Sequence, residues 1–236
     1  MIPVTALAVA LGAVAQGVTG LGFSLVCAPI LIALLGPREG VRTALVLSIF
    51  LNVALLARTH RSVLVREGAG LLVPAVGATP FLAWASRRID GRVLTIVAGV
   101  LTVLSAAALL SGLRWRRGAS AAWGVVAGVV SAAMNVVGSI GGPALALYSV
   151  NAGWRPARAR STLQVIFLAS NVVALASLGL PSSRDATRWT ALGTALVAGW
   201  IAGLRLHRRV PEGAARTATL GVAALGGVVA VVRAVI

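Results

Sequence analysis

Uncharged polar residues stand at intervals inside long apolar stretches of this chain. Gln16, Thr19 and Ser24 lie in one stretch, Asn135, Ser139 and Tyr148 in another, and Ser48, Asn52, Gln164, Ser170 and Asn171 in the runs that follow each of these. Polar groups in an apolar solvent are costly and mark functional positions by default. Amides and hydroxyls offer hydrogen bonds and no formal charge, which suits holding a small ligand. Glycine and proline sit beside them: Gly17, Gly20, Gly22 and then Pro29, and about 115 residues later Gly138, Gly141, Gly142 and Pro143. Glycine weakens a helix interior and proline removes an amide donor. The pattern predicts helices interrupted near Thr19 to Ser24 and within Asn135 to Pro143.

An interrupted helix leaves free N–H groups at the start of its second part, with the positive end of the peptide dipole. Glycine lets a ligand approach that backbone closely. Two such ends meeting deep in a bilayer would form a neutral, donor-rich pocket for a small anion. Each end contributes about 0.3–2 kcal/mol toward an anion. On this reading Gln16, Thr19, Gly20, Gly22 and Ser24 contact the ligand from one side. Asn135, Ser139, Gly141 and Gly142 contact it from the other, with Asn52 and Asn171 on neighbouring helices. Arg42 and Arg160 either attract the anion or anchor helix ends. The plainer alternatives are close helix packing for the glycines and cross-helix bonding for the asparagines.

The absences narrow the chemistry. Glu39, Glu67, Asp90, Asp185 and Glu212 fall in connections or at segment ends, as do His60 and His207. No mid-segment carboxylate is placed for a buried proton relay. No histidine is placed to activate a serine, and no His, Cys or carboxylate cluster suits a metal. The chain has no lysine, so it has no phosphate-binding Gly-x-x-x-x-Gly-Lys loop. No catalytic residue, metal or cofactor is expected. Cys27 is the only cysteine, which rules out an intrachain disulfide.

The elements that would position these groups are membrane helices. Apolar residues make up 58% of the 236 residues and charged residues 11%; the mean hydropathy is +0.96. A soluble domain carries about 25% charged residues. The fold class expected is all-α, a polytopic membrane protein of about eight segments, near 3–35, 41–57, 68–86, 92–112, 121–150, 161–180, 188–204 and 216–236. The Ala13-Val14-Ala15 triplet imitates a signal cleavage site, but the apolar run continues past it, so it reads as part of a first segment. The net charge is +16 and every basic residue is arginine. The arginines fall in small groups between apolar runs, which points to anionic lipid headgroups as partners and away from nucleic acid.

The Arg114-to-Arg117 cluster divides two similar parts, residues 1–113 and 114–236. After each interrupted segment an arginine with a hydroxyl neighbour recurs (Arg42-Thr43, Arg160-Ser161-Thr162), and Thr43 to Asn52 and Thr162 to Asn171 are both nine residues apart. Eight plain crossings place 12 arginines on one side and 9 on the other; hairpins at segments 1 and 5 would invert the second half and give 13 and 8. Parallel and inverted halves both stay open at this point.

The Gly17, Gly20, Gly22, Phe23 and Pro29 pattern resembles the opening of each half in the sulfite exporter TauE/SafE family, also called the toluenesulfonate uptake permease family. Gly128, Gly138, Gly141, Gly142 and Pro143 resemble it more loosely, with Met134-Asn135-Val136-Val137 in place of a glycine-richer run. Arg42-Thr43-Ala44, Arg160-Ser161-Thr162 and the basic Thr59-His60-Arg61 stretch extend the likeness over nearly the whole chain. The resemblance implies a multi-pass permease of the bacterial inner membrane that exports or takes up a small sulfur-containing anion such as sulfite, a sulfonate or sulfoacetate. Alternating access would be the mechanism. A coupling ion (Na⁺ or H⁺), the direction of transport and a homo-oligomer are left open. A membrane assembly or docking protein that transports nothing, and an anion channel, are the competing readings.

Overall fold

The computed structural model describes residues 2–112, 120–207 and 209–235, apart from the side chains of Arg61 and Glu212. The Arg114-to-Arg117 cluster, with the division between 113 and 114, lies outside the described residues. So does Arg208. Among the described residues there are ten α-helices and no strand. They are α1 (Ile2–Thr19), α2 (Phe23–Leu35), α3 (Pro37–Thr59), α4 (Val65–Ser86), α5 (Gly91–Leu110), α6 (Ala121–Gly138), α7 (Gly142–Asn151), α8 (Pro156–Leu178), α9 (Ala186–Leu206) and α10 (Glu212–Val235). All but α2 and α7 are long and apolar enough to cross a membrane. Large apolar side chains such as Phe50, Val53, Phe81, Leu104 and Leu225 point outward, as a lipid solvent permits.

Neither interrupted run is a single kinked span; each folds back on itself. Gly20 (φ 76°), Gly22 (φ 136°) and Ser139 (φ 56°) reverse the chain. In the first hairpin α2 returns along α1, where a Cβ added to Gly12 would lie 2.8 Å from the Phe23 carbonyl oxygen. In the second, α7 returns along α6: Ser131 Oγ donates to the Gly141 carbonyl at 2.8 Å, and Tyr148 lies against Gly124.

The hairpins enter from opposite ends of the bundle. The α1 helix runs alongside α9 in the same direction, with Ala10 against Gly199 and Val14 against Gly203. Likewise α6 runs with α4, with Gly124 against Gly70 and Gly128 against Leu71 and Ala75. At the bundle's centre α3 and α8 are antiparallel. Arg42 Nη2 donates to the Leu178 carbonyl near one end, and near the other Leu64 N–H donates to Thr162 Oγ1. The turns after α3 and α8 send α4 and α9 in opposite directions, so α1 and α6 oppose each other too. Of the described arginines, 9 belong to the end holding the α3–α4, α7–α8 and α9–α10 connections and 8 to the other; in sequence four more, outside the described residues, fall between α5 and α6 and between α9 and α10.

Several expected connections are shorter than the sequence suggested. Only Gly36 separates α2 from α3, and α8 begins at Pro156, which puts Arg158 and Arg160 inside a helix. Proline's fixed φ suits the first helical turn, where its missing N–H would have no partner.

Candidate functional site

The two chain reversals approach one another inside the bundle. Ser24 Oγ, at the start of α2, lies 3.0 Å from Ser48 Oγ of α3 and 3.5 Å from Ser139 Oγ at the second reversal. A cavity of about 70 Å³ fills the space between them. Of the residues selected by sequence, Gln16, Gly22, Ser24, Asn52, Asn135, Ser139, Gly141, Gly142 and Asn171 line it. Among the described residues no charged side chain does.

Internal hydrogen bonds decide what the cavity offers. The Phe23 N–H donates to Gln16 Oε1 at 3.1 Å, which leaves the Gln16 Nε2 as a donor. Asn135 Nδ2 donates to Asn171 Oδ1 at 3.0 Å, which leaves the Asn171 Nδ2. The Asn52 Nδ2 is buried and has no partner. A buried N–H without a partner costs about 1–3 kcal/mol, so each such group favours an acceptor in the cavity. The hydroxyls of Ser24, Ser48 and Ser139 complete the polar wall.

The expectation of free peptide N–H groups at both helix starts holds only in part. The first amide of α2 is taken by Gln16, and the second residue of α7 is Pro143, which has no N–H. Side-chain amides supply donors where the sequence pointed to backbone. Ser139 is the only non-glycine residue with positive φ among those described. A strained residue of this kind persists where its surroundings over-determine it, often at functional sites.

The remaining candidates lie elsewhere. Thr19 and Arg160 line a larger space of about 380 Å³, together with Arg216 and Trp154. It shares Leu21, Leu25, Leu109 and Ala146 with the cavity and forms a vestibule at the arginine-rich end. The Gly20 carbonyl accepts from Gln164 Nε2 at 3.0 Å, and its Cα faces the Arg160 guanidinium. Arg42 sits at the opposite end, where polar contacts close the bundle. It donates to the Leu178 carbonyl at 2.6 Å, Arg188 Nη2 donates to Thr43 Oγ1 at 3.4 Å, and Glu39 accepts from the Ser182 and Ser183 amides at 2.9 and 3.3 Å.

Ser48 is one of the polar residues the sequence marks but not one it assigns to the ligand, although it stands one turn before Asn52 on the same helical face and lines the cavity. Phe167 stands one turn before Asn171 in the same way. Leu109 carried no signal, since an apolar lining residue in an apolar helix resembles its neighbours. No group of three or more potential metal ligands occurs among the described residues. The family model described as sulfite exporter TauE/SafE matches residues 4–230. No curated protein and no solved structure matches the chain.

Proposed function

Since the chain belongs to the sulfite exporter TauE/SafE family of membrane transporters, we propose that it is a secondary transporter of a small anion, sulfite or an organosulfonate, working by alternating access. The cavity between the two hairpins is its substrate site. The observation that carries this reading is the lining: three side-chain amides with unpaired N–H groups and three hydroxyls, with no charged side chain among the described residues, where two helix reversals meet. A carrier must release its cargo, and neutral donors hold an anion without trapping it. The size suits a small oxyanion; drug-sized ligands need about 300–1,000 Å³.

Residues 1–113 and 114–236 act as inverted repeats around this site. Support comes from the opposed hairpins and from the matching pairs α1 with α9 and α4 with α6. The arginine-rich end faces the cytoplasm of a bacterial inner membrane by the positive-inside rule. The vestibule is then the cytoplasmic entrance, and the Glu39 and Arg42 contacts form the closed outer gate. In proteoliposomes, labelled sulfite, taurine or methanesulfonate should show saturable flux with counterflow. No flux for any of them from folded protein overturns the proposal.

A further inference from the structure

We propose that the cavity selects its anion by charge, accepting singly charged oxyanions (hydrogen sulfite or a sulfonate) and excluding doubly charged ones (sulfite and sulfate). The inference rests on reading the cavity as the anion site. Desolvation of an ion rises with the square of its charge, so a dianion loses about four times what a monoanion loses. A site repays that loss with cations or with many N–H donors. Among the described residues this one has no cation in its wall, its donors are three side-chain amides and three hydroxyls, and two of the helix-start donors that could add to them are missing. The Phe23 amide is committed to Gln16 Oε1, and Pro143 has none to give. Arg160 and Arg216 line the vestibule and can draw in either species, but neither lines the cavity.

One consequence concerns coupling. Sulfite takes a proton from water to become hydrogen sulfite, and the proton travels with the cargo and is released on the far side. Each such turnover moves one proton and one net negative charge, and no carboxylate relay in the protein is needed.

The test is equilibrium binding to purified full-length protein in lipid nanodiscs, with methanesulfonate, sulfite and sulfate as probes, followed across pH. No titratable side chain lines the cavity among the described residues, and methanesulfonate, a monoanion throughout, reports any titration of the protein. Methanesulfonate affinity should stay flat, and sulfate should bind at least about tenfold more weakly. Apparent sulfite affinity should fall about tenfold per pH unit above its second ionisation, as the hydrogen sulfite fraction does. Sulfate binding as tightly as methanesulfonate, sulfite binding that strengthens with pH, or no binding of either class overturns the proposal. Parallel flux measurements isolate the transport reading: methanesulfonate binding without flux removes the transporter and leaves the charge selection standing. Leu109→Lys adds a cation at the mouth shared with the vestibule, and Asn52→Lys adds one deeper. Either should raise sulfate affinity relative to methanesulfonate about tenfold. An unchanged ratio in the folded Leu109→Lys protein overturns the proposal.

Discussion

Ser139 allows a prediction in which stability and ligand binding move in opposite directions. Its backbone is left-handed (φ 56°, ψ 24°), a conformation that costs an L-residue about 1–2 kcal/mol. Ser139→Gly removes that strain, and the greater freedom of glycine in the unfolded chain returns about 0.5–1 kcal/mol of it. The net gain is about 0.5–1 kcal/mol, a rise of about 1–4 °C in melting temperature for a chain of this size. The same change removes a hydroxyl from the cavity wall, 3.5 Å from Ser24 Oγ. A hydrogen bond to a charged group is worth about 1.5–3 kcal/mol, so anion affinity should fall about 10- to 150-fold. Ser139→Ala keeps the strain and loses the hydroxyl, so it should weaken binding equally without the thermal gain. The assays are thermal unfolding in detergent and concentration-dependent flux in proteoliposomes. A less stable Ser139→Gly protein, or wild-type transport in Ser139→Ala, refutes the reasoning.

Three further outcomes are expected. Gln16→Leu strips the Phe23 N–H of its acceptor at a buried helix start, which should destabilise the protein by about 1–3 kcal/mol and reduce binding in the same assays. Gly141→Ala would place a Cβ 2.7 Å from the Ser131 carbonyl oxygen; overpacking of this kind costs about 1–3 kcal/mol, and flux should drop even where the protein purifies folded. Glu39→Ala breaks two charge-assisted bonds to the Ser182 and Ser183 amides. At this half-buried site the loss is about 1–2 kcal/mol, so the gate should open about 5- to 30-fold more often. A proportional increase in maleimide labelling of Val41→Cys, buried beside Arg42, in a Cys27→Ser background checks it.

The sequence alone determined the solvent and the materials. Its apolar runs require helices in lipid, because backbone groups there must bond within their own segment. Its glycines and prolines marked where those helices stop, and the polar residues inside the runs marked most of the cavity wall. Hydropathy and helix propensity are local properties, however. Whether a broken helix continues at an angle or doubles back depends on what lies beside it. Here α9 lies so close along α1 that a Cβ on Gly203 would sit 2.6 Å from the Val14 carbonyl oxygen. Tertiary structure therefore decided that both runs are hairpins, that they oppose one another, and that Thr19 and Arg160 belong to a vestibule while Arg42 belongs to the far end. It also decided the polarity of the site. An amide can present oxygen or nitrogen, and the Phe23 N–H, seven residues from Gln16 in the chain and 3.1 Å from its Oε1 in space, engages the oxygen and leaves the nitrogen as a donor for a ligand.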